Sequence, residues 1–380
     1  MQDTLAGAER AVLVSLDFGD TDYAESLEEL RLLAESAGVE VATIIEGRRQ
    51  RPDPALYAGS GKVQEVADAL TLHEASTVIF NHDLSPAQQR NLTNRLKARV
   101  IDRTALILDI FAQRAQSHEG KVQVELAQLR YLSTRLTGIG AELGQQKGGI
   151  GLRGPGETKL ETDRRKLDRR VDLLKERLAK LQKQRAVRRR ARQRGEVLSV
   201  SIVGYTNAGK STLFNRMTRA GVYEANQLFA TLDTTSRKVF LPGAGQVVLS
   251  DTVGFIRHLP HTLVAAFRST LEETVQADLL LHVVDAGNAV RDDQVAEVNK
   301  VLREIGADHI PQILVLNKTD LTGLPAGIER DEYGKIKQIR LSAKTGEGLD
   351  LLREALVEVR DARASVDQES ETTESNETWD

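Results

Sequence analysis

The sequence predicts an α/β protein in which two sheet-containing parts flank a pair of long helices. Short apolar runs alternate with helix-forming stretches over the first 115 residues and again after residue 197, a pattern typical of parallel sheets with helical crossovers. Between these parts, leucines and valines recur at three- and four-residue steps, which indicates long amphipathic helices. We therefore expect an N-terminal α/β domain at 1–115, a helical hairpin at 116–196, a second α/β domain at 197–360 and a disordered acidic tail at 361–380.

The composition excludes several classes of protein. The chain of 380 residues is long enough to bury the cores of two or three domains. It contains no cysteine, so it forms neither disulfides nor thiolate metal sites. No apolar run approaches the roughly 18 residues that cross a bilayer, and the first residues carry no signal pattern. We therefore expect a cytoplasmic protein with no transmembrane segment.

The first domain is expected to contain four short parallel strands. Apolar runs predict them at residues 11–16, 39–45, 77–80 and 99–101, with helices at 24–37 and 85–96. Within this domain, Tyr57–Lys62 looks like a phosphate-binding loop, but no glycine lies five residues before Gly61. A glycine-rich turn that caps the helix from Val63 is therefore favoured over nucleotide binding, and ATP binding by this domain is left open.

Two long helices joined by a glycine-rich loop follow. The first is expected over 122–136, and the loop is marked by Gly138, Gly140, Gly144, Gly148, Gly149, Gly151, Gly154 and Gly156. The second has an apolar seam, so the pair should form an antiparallel hairpin. It is also strongly basic from Arg164 to Arg194. Such a stripe is often only a solvated face, but beside a loop that contains Lys147 and Arg153 it favours binding to RNA phosphates.

The second α/β domain begins with a phosphate-binding pattern. Gly204–Ser211 fits G-x-x-x-x-G-K-[ST] and lies between an apolar run and a helix-forming stretch, the strand–loop–helix order that this pattern requires. Glycines let the backbone approach the phosphates, the lysine reaches the β and γ phosphates, and the serine hydroxyl binds Mg²⁺. The predicted site residues here are Gly204, Tyr205, Thr206, Asn207, Ala208, Gly209, Lys210, Ser211 and Thr212, with Lys210 catalytic and Ser211 a metal ligand.

Three later motifs complete the predicted site. Asn317, Lys318, Thr319 and Asp320 read N-K-x-D after an apolar strand, which looks like the guanine-specificity motif of GTPases. Asp320 can accept from two guanine donors that adenine does not offer as a pair. Asp251, Thr252, Val253 and Gly254 fit D-x-x-G, which holds Mg²⁺ through water and contacts the γ-phosphate, and Ser342, Ala343 and Lys344 resemble the last base-contacting loop. Four motifs in this order predict a P-loop GTPase domain that uses GTP, GDP and Mg²⁺.

Several runs of residues resemble the HflX family of translation-factor-class GTPases. They are 204–215, 227–233 and 251–260, together with 148–157 and the basic residues that follow it in the predicted linker. The resemblance covers about residues 39–359. The chain departs from the family at Thr234, where proline is frequent, and it ends soon after the last helix of the GTPase domain.

The resemblance implies a fold, a partner and further site residues. It implies a P-loop GTPase domain preceded by an α/β domain with a long antiparallel helical hairpin. It also implies a ribosome-associated protein that splits stalled or idle ribosomes or acts in ribosome biogenesis, and some members hydrolyse ATP as well. The first switch is implied to contain Phe229, Ala230, Thr231, Leu232 and Asp233. Thr231 is implied to be the second metal ligand and, with Gly254, a catalytic residue, although Thr234 and Thr235 rival it by chemistry alone.

Two hypotheses of function remain at this point. In the first, a monomeric GTPase binds the large ribosomal subunit and its ribosomal RNA, but not DNA, through the basic hairpin. In the second, a GTPase signalling switch binds a protein partner or an anionic membrane surface through the same hairpin. Phe255 follows D-x-x-G where many small GTPases have a glutamine that orients water. We therefore expect slow turnover by the protein alone and faster turnover on the ribosome.

Overall fold

The computed structural model describes residues 9–20, 22–145, 155–193, 197–218, 228–243, 245–257, 259 and 271–376. The described residues form two compact units. The first unit contains those up to Gln184 together with Leu228, Phe229 and Leu259, and the second contains the others from Arg185 onward.

A four-stranded parallel sheet forms the centre of the first unit. Its strands are β1 (Arg10–Asp17), β2 (Glu40–Arg48), β3 (Thr77–Phe80) and β4 (Arg99–Ile101), in the order β2-β1-β3-β4. The helices α1 (Tyr23–Ser36), α2 (Ser60–Leu72), α3 (Pro86–Leu96) and α4 (Arg103–Arg114) alternate with them. Val12, Val14 and Phe80 lie in its buried cluster. The α/β fold predicted from the alternating apolar runs is confirmed.

Asp102 connects the sheet of the first unit to the long helix α5 (His118–Gln145). The carboxylate is fully buried at the start of α4, where it accepts the Ala105 N–H at 2.9 Å and so caps that helix. It also accepts from the Tyr131 hydroxyl at 2.8 Å and from Arg135 Nη2 at 2.6 Å, both in α5. A buried charge with several donors is stable only if they all stay in place, so α5 has a defined direction relative to α4.

The second long helix, α6 (Pro155–Gln193), shares a small apolar cluster with α5. Val122 and Leu126 of α5 are buried there with Leu174 of α6, and Arg170 pairs with Glu125 at 2.6 Å. The expected loop glycines Gly138, Gly140, Gly144 and Gly156 lie inside these helices instead. A glycine costs about 1 kcal/mol in a helix, which a helix already formed on packed residues tolerates. The expected tip at 146–154 lies outside the described residues.

The sheet of the second unit has seven strands. They are β5 (Leu198–Gly204), β6 (Thr235–Leu241), β7 (Gly245–Asp251), β8 (Leu279–Asp285), β9 (Gln312–Asn317), β10 (Gly327–Arg330) and β11 (Ile336–Arg340), in the order β10-β11-β9-β8-β5-β7-β6. The pairs β6–β7 and β10–β11 are antiparallel and the others are parallel. The sequence pattern predicts β5, β7, β8 and β9, but it misses the outer strands β6, β10 and β11.

Helices cover both faces of this sheet. They are α7 (Lys210–Thr218), α8 (Glu272–Val275), α9 (Arg291–Ile305), α10 (Thr319–Thr322) and α11 (Leu349–Asn376). Val283 lies in the buried cluster that contains residues of α7 and α11, whereas its neighbour Val284 lies in a second cluster with Val295 of α9. Successive side chains of a strand point to opposite faces, so the two clusters mark the two faces of the sheet.

The last helix extends further than the sequence analysis expects. A disordered tail is predicted from residue 361, but α11 continues to Asn376. Leu352, Ala355 and Leu356 anchor its first turns in the core, and no glycine or proline interrupts the residues that follow up to 376. A helix that is already nucleated extends at little cost through such residues. None of the helices in the described part of the chain is long and apolar enough to cross a membrane.

Candidate nucleotide-binding site

The motifs of the second unit meet at one edge of its sheet. The strands β5, β7, β8 and β9 are parallel, and their carboxyl ends carry Gly204, Asp251, Asp285 and Asn317. In open α/β sheets, ligands bind outside the carboxyl ends of the strands. The fold therefore assembles residues that are far apart in the sequence into a single candidate site.

The phosphate-binding loop curls tightly between β5 and α7. Gly209 has a φ of +93°, and a Cβ at this position would run into the side-chain amide of Asn317, so only glycine fits. The Asn317 amide donates to the Ala208 carbonyl at 2.8 Å and so holds the loop closed. Lys210 is buried, and its ammonium donates to the Tyr205 carbonyl at 2.7 Å. Burial lowers the pKa of Lys210 to about 8.

Two hydroxyls and a carboxylate meet beside this loop. Ser211 Oγ lies 2.9 Å from Thr231 Oγ1 and 2.8 Å from Asp251 Oδ2, and Thr231 Oγ1 lies 3.0 Å from the same carboxylate oxygen. Asp251 Oδ1 is buried and has no hydrogen-bond partner among the described residues. Burial raises the pKa of the Asp251 carboxyl, an effect that the nearby Lys210 charge opposes.

This cluster has the chemistry of a magnesium site. Mg²⁺ prefers oxygen ligands and commonly keeps several of its waters, and here two hydroxyls and a buried carboxylate oxygen face one another. A dication would also offset the cost of burying the carboxylate. The residues present therefore fit Mg²⁺. No group of three or more histidine, aspartate or glutamate side chains in the described residues offers a competing metal site.

The D-x-x-G segment runs along the phosphate-binding loop. Phe255 N–H donates to the Gly204 carbonyl at 3.1 Å, and Thr206 N–H donates to the Phe255 carbonyl at 2.8 Å. Gly254 lies so close that a Cβ there would be 3.0 Å from both Thr206 Cα and Lys210 Nζ. The Phe255 ring is buried, so it offers the site no polar group.

Asn317 and Asp320 of the N-K-x-D motif have fixed partners in the loop at 342–344. The Ala343 N–H donates to Asn317 Oδ1 at 2.9 Å, and the Ser342 hydroxyl donates to Asp320 Oδ1 at 2.7 Å. Thr319, which lies between Asn317 and Asp320 in the sequence, is buried. Asp320 itself is exposed, so its carboxylate is accessible to a ligand.

The first switch is described from Leu228 onward. Leu228 and Phe229 belong to the first unit, where the Leu228 N–H donates to Ser36 Oγ at 2.9 Å. The Phe229 ring meets Phe111 edge-on, with ring centroids 4.7 Å apart. The next residues, Ala230, Thr231, Leu232 and Asp233, belong to the second unit. Residue 227 of the run 227–233, and residues 258 and 260 of the run 251–260, lie outside the described residues.

Three residues outside the four motifs, Arg257, Arg216 and Asp285, also contact the site. The Tyr205 hydroxyl accepts the Arg257 N–H at 2.7 Å and so joins the phosphate-binding loop to the segment after D-x-x-G. Arg216 of α7 donates to the carbonyls of Ala343 and Lys344. Asp285 accepts from Lys318 Nζ at 2.8 Å. No spacing rule points to these contacts, because each depends on how the strands are arranged.

The sheet, the phosphate-binding loop and the N-K-x-D pocket together define a P-loop GTPase. Family models match three consecutive parts of the chain: a GTP-binding GTPase N-terminal model at 24–112, a GTP-binding GTPase middle-region model at 114–192 and a 50S ribosome-binding GTPase model at 199–318. The GTPase HflX of Escherichia coli strain K12 is 54% identical over 359 residues, which are 94% of this chain and 84% of that protein. The chain therefore belongs to the HflX family, and the resemblance seen in the motifs is confirmed.

Other known proteins agree with this assignment. The GTPase HflX of Lacrimispora saccharolytica is 48% identical over 345 residues, 90% of this chain and 81% of that protein. A crystal structure of SsGBP in complex with GDP is 26% identical and has a TM-score of 0.52, covering 93% of this chain and 99% of that one. A protein solved in complex with GDP is thus similar in structure to most of this chain.

Proposed function

We propose that this protein binds GTP and GDP with Mg²⁺ at the edge of the second sheet and hydrolyses GTP. The contact of Ser211 and Thr231 with the Asp251 carboxylate carries the proposal, because a buried oxygen cluster beside a phosphate-binding loop suits a nucleotide-bound dication. Ser211 and Thr231 are the proposed metal ligands, and Asp251 acts through water. The metal neutralises charge that develops on the phosphates.

The other residues of the site act on the nucleotide itself. Lys210 and the loop N–H groups bind the phosphates. Gly254 lies beside Lys210 Nζ, so its backbone N–H is the proposed contact of the γ-phosphate. Asp320 accepts the two donors of the guanine edge. Adenine offers no such pair of donors, so GTP is the preferred nucleotide. Turnover of ATP, which the family resemblance implies, belongs to the proposal as a secondary activity.

Phosphate release from GTP tests this assignment. Lys210→Ala removes the buried ammonium, so hydrolysis should fall to the background rate while the fold, checked by circular dichroism, is kept. Lys238→Ala is the matched control, because Lys238 is exposed in β6 and belongs to none of the motifs. Normal turnover in Lys210→Ala would exclude this site as the hydrolytic one. Parallel assays with ATP measure the secondary activity.

The proposed partner is the large ribosomal subunit, bound in the cytoplasm by a monomer of this protein. Support comes from the 50S ribosome-binding GTPase model that the second unit matches and from the basic face of α6. Arg164 and Arg169 are exposed and have no ion-pair partner among the described residues, whereas Arg165 pairs with Glu161 and Arg170 with Glu125. Unpaired exposed arginines are suited to the phosphates of ribosomal RNA. Splitting of stalled or idle ribosomes, or a step in ribosome biogenesis, is the proposed role.

Co-sedimentation with separated ribosomal subunits tests the partner. Binding should be strongest to large subunits with a non-hydrolysable GTP analogue, weaker with GDP, and steeply reduced by salt. Anionic vesicles provide the competing surface in the same experiment. Binding to vesicles but not to large subunits would favour the signalling-switch hypothesis instead.

A further inference from the structure

Asp285 ends β8 at the edge of the nucleotide site and lies outside all four motifs. Its Oδ2 accepts from Lys318 Nζ at 2.8 Å, and its Oδ1 accepts the Gly287 N–H at 3.0 Å. With a partner on each oxygen, the carboxylate has a single direction. The side chains of Asp285 and Lys318 are only 22% and 24% exposed, so water and salt screen this pair less than an open surface pair.

Lys318 is held at both of its ends. Its backbone has a left-handed φ of 65° between Asn317 and Asp320, and both of those neighbours are fixed by the loop at 342–344. Its ammonium is held by Asp285. The four-carbon stem between these two ends is apolar, and such a stem can cover a flat apolar surface while its charged end binds elsewhere.

We propose that Asp285 is a positioning residue for guanine-nucleotide binding: by holding the Lys318 ammonium, it fixes the lysine stem as one wall of the base pocket. This inference rests on the proposed function, because it takes the base to lie beside Asp320. Without the carboxylate, the lysine loses its counter-ion and gains rotamers, so base binding must order the side chain again.

The test measures binding of a fluorescent GDP analogue and of pyrophosphate, which has no base, to the full chain. Asp285→Asn keeps an acceptor for the Gly287 N–H and removes the charge that holds Lys318. GDP affinity should fall about tenfold, while pyrophosphate affinity should be unchanged, because only the base wall is lost. Lys318→Met should have the same two effects. In the Lys318→Met background, Asp285→Asn should change GDP affinity less than about twofold, because the two residues act as one unit.

Asp292→Asn is the matched control, because Asp292 is 95% exposed and pairs with its neighbour Arg291. Equal losses for GDP and pyrophosphate, or additive effects of the two substitutions, would overturn the inference by showing a merely structural role. Unchanged GDP affinity in Asp285→Asn also overturns the inference. Asp320→Asn then shows whether only the inference fails or the proposed function fails with it. If Asp320→Asn weakens GDP binding, only the inference fails; if it does not, the proposed function fails as well. If Asp285→Asn does not fold, Lys318→Met tests the inference alone. Unchanged GDP affinity in that variant would show that the Lys318 side chain is not a wall of the base pocket.

Discussion

Thr231 Oγ1 lies 3.0 Å from Asp251 Oδ2, although β6 and most of β7 lie between the two residues in the sequence. The same carboxylate oxygen accepts from Ser211 at 2.8 Å. One carboxylate oxygen of D-x-x-G therefore accepts hydrogen bonds from both Thr231 of the first switch and Ser211 of the phosphate-binding loop. Chemistry alone leaves Thr231, Thr234 and Thr235 as rivals for the metal, and this contact is the physical reason to favour Thr231.

Replacing Thr231 should raise the Mg²⁺ concentration that GTP hydrolysis requires. Thr231→Ala removes one hydroxyl from the cluster, so the Mg²⁺ concentration that gives half-maximal GTP hydrolysis should rise about tenfold, as when one oxygen ligand is replaced by water. Thr235→Ala is the matched control, since Thr235 is the first residue of β6. A larger effect of the Thr235 substitution would transfer the metal role to that residue.

Asp320 should determine which base is bound. Asp320→Asn places an amide donor where guanine also has a donor, so GTP affinity should fall by at least about a hundredfold, and xanthosine triphosphate, which has an acceptor there, should bind better. Competition binding with the two nucleotides measures the change. Unchanged GTP affinity in this variant would mean that the base lies elsewhere.

Charge on α6 should dominate affinity for the ribosome. Replacing Arg164, Arg165, Arg169 and Arg170 by glutamine removes up to four phosphate contacts, so the slope of log affinity against log salt should become shallower by about three units. The double variant Arg164→Gln with Arg169→Gln should give about two of these three units of slope, because Arg165 and Arg170 already pair with glutamates. A control variant replaces four exposed basic residues of the second unit, namely Arg237, Lys238, Lys335 and Lys337. Equal effects of the two sets would mean that net charge alone matters.

His282 should stay neutral well below neutral pH. It lies in β8 between β5 and β9, is 2% exposed, and burial lowers its pKa to about 4. An unfolded histidine has a pKa of about 6.5, so the unfolded chain binds more protons between these two values. The free energy of unfolding should therefore decrease as pH falls from about 6.5 to 4, by up to about 3 kcal/mol from this group. NMR chemical shifts of the imidazole nitrogens measure this pKa, and the His282→Gln variant identifies which signals belong to His282. Half-protonation near pH 4 is expected, and a midpoint near 6.5 would contradict the burial of the ring.

The sequence predicts the chemistry of the site better than the contacts that support it. Motif residues such as Lys210 and Asp251 are recognisable because phosphate and metal binding restrict the residue types at each position. The outer strand β6 is not recognisable, because Arg237 and Lys238 face solvent and interrupt the apolar pattern. Likewise, the sequence does not distinguish Asp285 from other acidic residues, because its contact with Lys318 depends on the pairing of β8 with β9.

The long helices show a different limit of local patterns. Gly138 and Gly140 indicate a loop by propensity, yet α5 continues through both of them. The helix begins on packed residues that include Val122 and Leu126, and cooperative extension outweighs the local cost of glycine. The acidic residues after 361 behave similarly at the end of α11. Packing of the first turns therefore lets these helices extend further than local propensity predicts.

We propose that fast GTP hydrolysis at this site depends on the large ribosomal subunit. The residue after D-x-x-G is Phe255, whose ring is buried and whose backbone pairs with Gly204 and Thr206. It cannot orient an attacking water, so we propose that docking on the large subunit supplies or positions a group that does. Such docking can order the two switches, which carry Thr231 and Gly254.

Phosphate release from GTP, measured with the protein alone, with large subunits and with small subunits, tests this claim most directly. Turnover should be slow alone and should rise at least tenfold with large subunits, equivalent to about 1.4 kcal/mol of transition-state stabilisation. Small subunits should have no such effect, and Lys210→Ala should abolish the rise. Fast turnover by the protein alone, or a rate that large subunits leave unchanged, would contradict the account.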